Sequence, residues 1–293
     1  MRLRPLTDER AKPAMPVAGE PLIRRIASWL ASHGITELVL NLHHLPGTIT
    51  SVLGDGGDLG VRVRYSWEQP RILGSGGGPK QALPILGVDR FFLINGDTLT
   101  NVDLRAMAHA HADSGALVTL ALVPNREFHR YGGVHLDRDG GVTRFSRRGP
   151  DSADSWHFIG AQVVDASVFD AAPPGEPSST IGGIYDDLIR TRPGAVRGFT
   201  SDADFRDVGT AADYLRTSQA LSASGVDVGL RARVDPTARI TRSVLWDDVE
   251  VGAGTSLTDC IVSDGVEIPG GTEYQRSILM RRDDRLAVFP LES

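Results

Sequence analysis

Four groups of residues have types and spacings suited to handling phosphate. The first is Arg2-Leu-Arg4-Pro-Leu-Thr-Asp, followed by Lys12-Pro-Ala-Met-Pro-Val-Ala-Gly. Arg2, Arg4 and Lys12 sit in a proline-punctuated segment that leads into a helix, and such cations gather phosphate oxygens. On spacing alone, a solvated basic tail fits equally well. The second is Leu73-Gly-Ser-Gly-Gly-Gly-Pro79, between a strand and a helix. Glycines admit close approach of a backbone to a ligand, and helix N-termini attract anions. A dinucleotide-binding turn is an alternative, with Asp97 about 20 residues further on, but Pro79 takes the place of its third glycine. A plain flexible loop is another. The third is Phe91-Phe-Leu-Ile-Asn-Gly-Asp97, a carboxylate just past the end of a strand, suited to holding Mg²⁺ against phosphate oxygens or simply to a Gly-Asp turn. The fourth is Phe205-Arg-Asp207-Val-Gly-Thr210, where Thr210 suits a helix N-cap and Asp207 is left over for other work.

Other residues invite chemistry less well. His109, His111 and Asp113 share a predicted helix but have no third ligand in view, so a polar helix face is expected. His43 and His44 read as loop residues at a strand end, and Trp67 and Trp156 as core or rim packing.

The elements that must hold these groups follow from periodicity. Ile23, Ile26, Ala27 and Leu30 recur at helical spacing before Gly34 stops the helix. Residues 37–42 read as a strand, 45–53 as a helix, and 61–65 as a half-buried strand. A helix is expected over 79–86, a strand buried on both faces over 90–95, a helix over 102–114 and a strand over 116–123. That alternation predicts an α/β fold with a mainly parallel sheet. Short strands at 134–136, 142–145 and 158–164, with Asp139-Gly-Gly between the first two, predict an antiparallel insert. A helix over 184–192, a strand over 196–199 and a helix over 211–221 follow.

Beyond Ser224 the period changes. Val234, Ile240, Trp246, Val251, Leu257, Val262, Ile268, Tyr274 and Met280 are mostly six residues apart, with two steps of five. Hexapeptide repeats of this kind build β-helices, although six is also a multiple of the strand period.

Composition narrows the class. Of 293 residues, 41% are hydrophobic and 23% charged, as in ordinary globular proteins. A net charge of −6 argues against nucleic acid as partner. The lone Cys260 leaves no internal disulfide framework and fits a reducing compartment. No apolar run reaches the roughly 20 residues of a membrane span, and no signal peptide is visible. A cytoplasmic protein with no membrane partner is the expectation.

Taken in order, these blocks resemble the sugar-1-phosphate nucleotidyltransferases. That family opens with a strand, then G-x-G-T-R-L-R-P-L-T and P-K-P-L-L-P-V-A-G-K-P-L-I. Arg2 to Thr7 matches the second half of the first motif, and Lys12 to Leu22 matches the second motif. Leu53-Gly-Asp-Gly, Tyr65-Ser-x-Glu68, Leu73-Gly-Ser-Gly-Gly, Asn95-Gly-Asp97 and Asp207-x-Gly-Thr210 fall where the family has comparable blocks. The resemblance implies a Rossmann-like α/β domain over 1–223, then a left-handed β-helix tail over 229–293 through which copies of the chain could associate. Met1 stands where the turn's Thr usually does, so a domain lacking its first strand and turn is implied. The implied reaction joins a nucleoside triphosphate to a sugar-1-phosphate and releases pyrophosphate. In it Asp97 and Asp207 hold Mg²⁺, Arg2 meets the pyrophosphate and Lys12 the sugar phosphate. Glu68, Gly74, Ser75 and Gly76 meet the nucleotide, and Tyr131, Gly132 and Gly133 the sugar. Where many members carry a Glu-Lys pair, this chain has Arg147 and Arg148, still suited to phosphate. The Tyr65 and Leu73 blocks lie nearest guanylyl- and muramate-type uridylyltransferases, pointing to a mannose-1-phosphate guanylyltransferase-like enzyme. A silent homologue that binds nucleotide-sugar as a regulatory subunit is the alternative.

Overall fold

The structure, a computed structural model, describes residues 3–292. A short hairpin, β1 (Pro16–Val17) and β2 (Glu20–Pro21), leads into helix α1 (Leu22–Ser32). Then come β3 (Glu37–Leu42), α2 (Pro46–Leu53), β4 (Arg62–Trp67), α3 (Gly74–Leu86), β5 (Arg90–Ile94), β6 (Thr98–Thr100), α4 (Leu104–Ser114) and β7 (Val118–Pro124). β8 (Gly133–Leu136), β9 (Val142–Ser146), β10 (Trp156–Asp165), α5 (Tyr185–Thr191), β11 (Val196–Thr200), β12 (Phe205–Asp207) and α6 (Ala211–Leu221) follow. The tail runs through β13 (Asp227–Val228), β14 (Arg233–Val234), β15 (Arg239–Thr241), β16 (Val244–Leu245), β17 (Glu250–Val251) and β18 (Ser256–Thr258). It ends with β19 (Ile261–Val262), β20 (Glu267–Ile268), β21 (Glu273–Gln275), β22 (Ser277–Arg282) and β23 (Arg285–Pro290). The chain divides into two compact units. One holds Ile26–Pro46 and Leu53–Phe205; the other holds Met1–Arg25, Gly47–Val52 and Arg206–Ser293.

In the first unit β3 and β4 pair in parallel from Glu37↔Arg62 to Leu42↔Trp67. The larger sheet has the order β11-β7-β10-β8-β9, with β5 also on β10. The α/β class is as expected, but most strand directions in this sheet differ from expectation. Only β11 and β7 pair in parallel; β10 runs antiparallel to β5, β7 and β8. β10 therefore belongs to the sheet's centre and not to a separate insert, whereas β8 and β9 form the expected hairpin. Its register on β7 shifts between Phe158 and Gln162, where Gly160 has φ +79. The bulge lets one strand lie beside β8 at its start and beside β5 at its end. Leu120, Leu122, Val164, Phe169, Tyr185 and Val196 are buried in the core that covers this sheet. β5, expected to be buried on both faces, is only half-buried, and among the described residues it pairs on one edge alone. On α4 the inward stripe is Leu104, Met107 and His111. His111 is thus a correction: it lies inside, bonded through Nδ1 to Thr119 Oγ1 at 2.8 Å and through Nε2 to Asp165 at 3.3 Å. Burial holds its imidazole below the ordinary value.

The second unit contains the tail. Strand β14 stacks on β17 and β17 on β20, β15 on β18 and β18 on β21, and β13 on β16, β16 on β19 and β19 on β22, all in parallel. This is the expected left-handed β-helix. Each coil takes 17 residues, as the Arg242–Asp259 rung shows, so one step in three is five residues long. On the third face Val262 is as expected, whereas Trp246 and Met280 each lie one residue past the inward position. Leu245, Val262 and Leu279 point into the coil, while Trp246 is buried elsewhere, its Nε1 donating to Tyr214 Oη at 2.8 Å. Ahead of the tail, Thr210 caps α6 as expected. Its side chain accepts from Asp213 N at 3.1 Å, and Asp213 returns the bond to Thr210 N.

Leu257 is fully buried in the coil core, so Leu257→Ala is expected to cost about 2–5 kcal/mol in urea denaturation. Glu250→Gln, on the half-exposed Arg233–Glu250 rung, is expected to change stability by at most about 1 kcal/mol.

Candidate functional site

The turn from β4 into α3 is built around a buried carboxylate. Glu68 is 6% exposed. Its Oε2 accepts from Leu73 N at 2.6 Å and its Oε1 from Asn41 Nδ2 at 3.1 Å. His43 Nδ1 lies 2.7 Å from the Glu68 carbonyl oxygen, which accounts for that histidine. The helix starts at Gly74, five residues before the proline expected to open it, so the glycine-rich run is the first turn and a half of α3 rather than a loop. Gly74 has φ +74, and a Cβ there would lie 2.7 Å from the Ser178 carbonyl oxygen. At Gly76 a Cβ would lie 2.6 Å from Ser178 Oγ, at Gly77 2.5 Å from the Glu176 carbonyl oxygen, and at Gly78 2.5 Å from Glu68 Oε1. Ser75 Oγ accepts from Thr180 N at 2.9 Å. The small side chains are thus fixed by packing inside the protein. What Gly74 and Ser75 could offer a ligand is backbone at a helix N-terminus, whereas Gly76 N already donates to the Ser178 carbonyl at 2.9 Å. Glu68, expected at the base, holds the turn from beneath.

Asp97 is half-buried in the turn between β5 and β6. The turn is pinned to the β10 bulge: Asn95 N donates to the Gly160 carbonyl at 2.8 Å, and Thr98 Oγ1 to the Ile159 carbonyl at 3.0 Å. A side chain at Gly160 would collide with Thr98 Oγ1 and Asn95 Nδ2. Gly160 therefore shapes the Asp97 turn, a part the motifs did not single out, although a lone glycine inside a strand is the known signal of a bulge or close approach.

In the same unit lies a cavity of about 250 Å³, lined by residues 123–127 and 202–205 with Tyr131 and His157. Its wall is aromatic. The Tyr131 and His157 rings stack at 4.1 Å and 28°, and Phe205 meets His157 at 5.1 Å. The Arg130 guanidinium lies 5.0 Å over Tyr131. Asn125 is 8% exposed; its Nδ2 donates to Ser155 Oγ at 3.2 Å, while its buried Oδ1 accepts no bond from the protein. Glu127, Asp202 and Asp204 add carboxylates to the lining. Gly132 and Gly133 lie against the β8–β9 hairpin, where a Cβ would meet the Ser146 carbonyl at 2.8 Å from Gly132 and the Ser146 Oγ at 2.6 Å from Gly133. Arg147 and Arg148 are exposed just past β9. Trp67, at the end of β4, is 49% exposed, whereas Trp156 packs on the sheet core.

In the second unit Lys12 opens a short 3-10 turn whose neighbours Ala14, Met15 and Val17 are fully buried. Ala11 N donates to Thr48 Oγ1 at 3.1 Å, and Arg25 Nε to the Val17 carbonyl at 2.6 Å. Asp207 ends β12, half-buried, three residues before the Thr210 cap. Arg2 lies outside the described residues. Among the described residues no three His, Cys, Asp or Glu side chains group as a metal site. Mg²⁺ commonly takes only one or two protein carboxylates beside substrate phosphates, a part that Asp97 or Asp207 has the chemistry to play.

Residues 1–224 match the nucleotidyl transferase family, and residues 219–275 the GlmU-like C-terminal hexapeptide family. A mannose-1-phosphate guanylyltransferase of Mycobacterium tuberculosis is 30% identical over 288 residues, covering 94% of this chain and 80% of that protein. The D-glycero-alpha-D-manno-heptose 1-phosphate guanylyltransferase of Aneurinibacillus thermoaerophilus is 32% identical, over 75% of this chain and 93% of its own. The N-acetylmuramate alpha-1-phosphate uridylyltransferase of Neisseria meningitidis is 33% identical, again over 75% and 93%. Among solved structures, HddC of Yersinia pseudotuberculosis superposes with a TM-score of 0.66 at 22% identity, covering 76% of this chain and 95% of that one, which shows a shared fold. No helix of the described residues is long and apolar enough to cross a membrane. The chain therefore belongs to the nucleotidyl transferase family, beside the sugar-1-phosphate guanylyl- and uridylyltransferases, and carries a hexapeptide-repeat tail.

Proposed function

We propose that this protein joins a nucleoside triphosphate to a sugar-1-phosphate, forming a nucleotide-sugar and pyrophosphate. The observation that carries the reading is the placing of two ligand-binding features in one unit. The N-terminus of α3 follows the carboxyl end of β4, and the Asp97 turn follows that of β5. Open α/β sheets bind their ligands beyond the carboxyl ends of strands.

In this reading an oxygen of the sugar phosphate attacks the α-phosphorus of the triphosphate. The bond from that phosphorus to the α–β bridging oxygen breaks, and pyrophosphate leaves with the electron pair. No covalent enzyme intermediate is needed, so the protein supplies position and charge. The motif order assigns Asp97 and Asp207 to a divalent cation, Lys12 to the sugar phosphate and Arg2 to the pyrophosphate. Mg²⁺, when bound, neutralises charge on the reacting phosphates. The α3 N-terminus serves the nucleotide. The cavity beside Tyr131, Gly132 and Gly133 suits a pyranose, whose apolar face stacks on aromatic rings while its hydroxyls take the carboxylates of Glu127, Asp202 and Asp204. Arg147 and Arg148 add cations for phosphate. The Tyr65-to-Glu68 and Leu73-to-Gly77 blocks lie nearest guanylyl- and muramate-type uridylyltransferases, and the M. tuberculosis relative makes GTP and mannose-1-phosphate the pair to try first.

A pyrophosphate-release assay over four triphosphates and a panel of sugar-1-phosphates is expected to show Mg²⁺-dependent turnover, highest with that pair. Asp97→Asn is expected to lower kcat by roughly a hundredfold or more. Nucleotide-sugar binding without turnover on any pair would instead identify a silent regulatory homologue. Phe205→Ala should raise KM for the sugar phosphate about tenfold and leave KM for the triphosphate within about twofold. Equal changes in both would remove the sugar from this cavity.

A further inference from the structure

The tail answers its own carboxylates with arginines one coil away. Arg231 pairs with Asp248, Arg233 with Glu250 and Arg242 with Asp259, each 17 residues apart. Some rungs instead set acid over acid: Glu250 over Glu267, where Arg233 already serves Glu250, and Asp247 over Asp264, which no arginine of the neighbouring coils serves. Asp247 and Asp264 are also 17 residues apart, with Asp247 N donating to Asp264 Oδ1 at 3.0 Å. They stack carboxylate over carboxylate on successive coils. The matching position one coil earlier is Leu230, and the one after, Arg281, is taken by Asp284. Like charges a strand spacing apart, about 5 Å, repel unless a cation lies across them.

That cation comes from the other end of the chain. Arg10 Nε and Nη2 donate to both oxygens of Asp264 at 2.7 Å each, and Nη2 also donates to Asp247 Oδ2 at 2.6 Å. The Arg10 side chain is 15% exposed, and its guanidinium lies 5.3 Å over the fully buried Trp246 ring. Trp246 Nε1 donates to Tyr214 Oη, which donates in turn to the Pro16 carbonyl. Both ends of the segment carrying Lys12 are therefore fastened to the same network. That network includes α6, the helix that follows Asp207. Burial raises the Asp264 carboxyl above its ordinary value, and the Arg10 guanidinium opposes part of that rise.

We propose that Arg10 is a positioning residue, and that the stacked Asp247–Asp264 rung of the tail fixes the Lys12 segment in the geometry that receives the sugar phosphate. The assignment rests on the proposed function for its kinetic consequence, though not for the tether itself. The tail is then part of the catalytic apparatus, acting through the substrate-binding segment.

The test uses the full chain, with Arg10→Met, Arg10→Lys, and Arg10→Met combined with Asp247→Asn and Asp264→Asn. Arg10→Met is expected to raise KM for the sugar phosphate about tenfold with a smaller change in KM for the triphosphate, and Arg10→Lys to recover part of the loss. The triple variant, relieved of stacked charge, should regain thermal stability while its KM stays high. Recovery of KM along with stability would reduce Arg10 to a neutralising role and overturn the proposal, as would an unchanged KM in Arg10→Met. Hydrogen exchange keeps the two readings apart. Arg10→Met should speed exchange at the bonded amides of Ala14 and Met15 about tenfold and leave α6 unchanged. If the wild-type protein turns over no substrate pair, the functional reading fails alone, and unchanged exchange at Ala14 and Met15 then sinks the tether.

Discussion

One buried carboxylate sets the form of the first unit. Glu68 has almost no contact with solvent, and each of its oxygens accepts from a group of the same unit, Leu73 N and Asn41 Nδ2. Leaving such a charge unpaired costs several kcal/mol, so the chain from Glu68 to Leu73 has little freedom. With that turn fixed, α3 must begin at Gly74 and run between Glu68 on one side and residues 176–178 on the other. A side chain at position 76 meets Ser178 Oγ and Ile184, one at 77 the Glu176 carbonyl, and one at 78 Asn41 and the carboxylate itself. The helix N-terminus is thereby presented beyond β4 in a single orientation.

The same logic governs the Asp97 turn. A bulge in β10 moves that strand from one neighbour to another, and the glycine at the bulge makes room for Asn95 and Thr98. The candidate metal carboxylate is thus placed by a strand about sixty positions later in the chain. In the second unit, Arg10 is likewise brought to carboxylates far off in sequence. The start of α3, the Asp97 turn and the Lys12 segment are each supported by a polar contact of long sequence separation, and such contacts leave no periodic trace.

That is why the fold was only partly legible from residues alone. Helices α1, α5 and α6 and strands β3 and β11 lie within a residue or two of their expected bounds, because apolar spacing and caps mark them locally. Helix propensity argues against a glycine-rich first turn, and tertiary packing at residues 176–178 overrides it. Strand direction has no local signal, so β10 was placed in an insert and not in the sheet. In the tail the period was right but one face was misread, since Leu245–Trp246 and Leu279–Met280 each offer two adjacent large apolar residues. The site motifs were readable in order. The supporting roles of Glu68, Gly160 and Arg10 were not, because each depends on a partner that only the folded chain supplies.

The most direct test of nucleotidyl transfer follows the oxygen atoms. A sugar-1-phosphate labelled with ¹⁸O on its non-bridging phosphate oxygens is incubated with GTP, Mg²⁺ and the protein, and the products are read by ³¹P NMR. Attack by the sugar phosphate on the α-phosphorus places one label in the new bridge. Isotope shifts then appear on both phosphorus atoms of the nucleotide-sugar, and the released pyrophosphate is unlabelled. Label in the pyrophosphate, a nucleotide-sugar shifted at one phosphorus only, or no nucleotide-sugar with any triphosphate and sugar phosphate tried, contradicts the account.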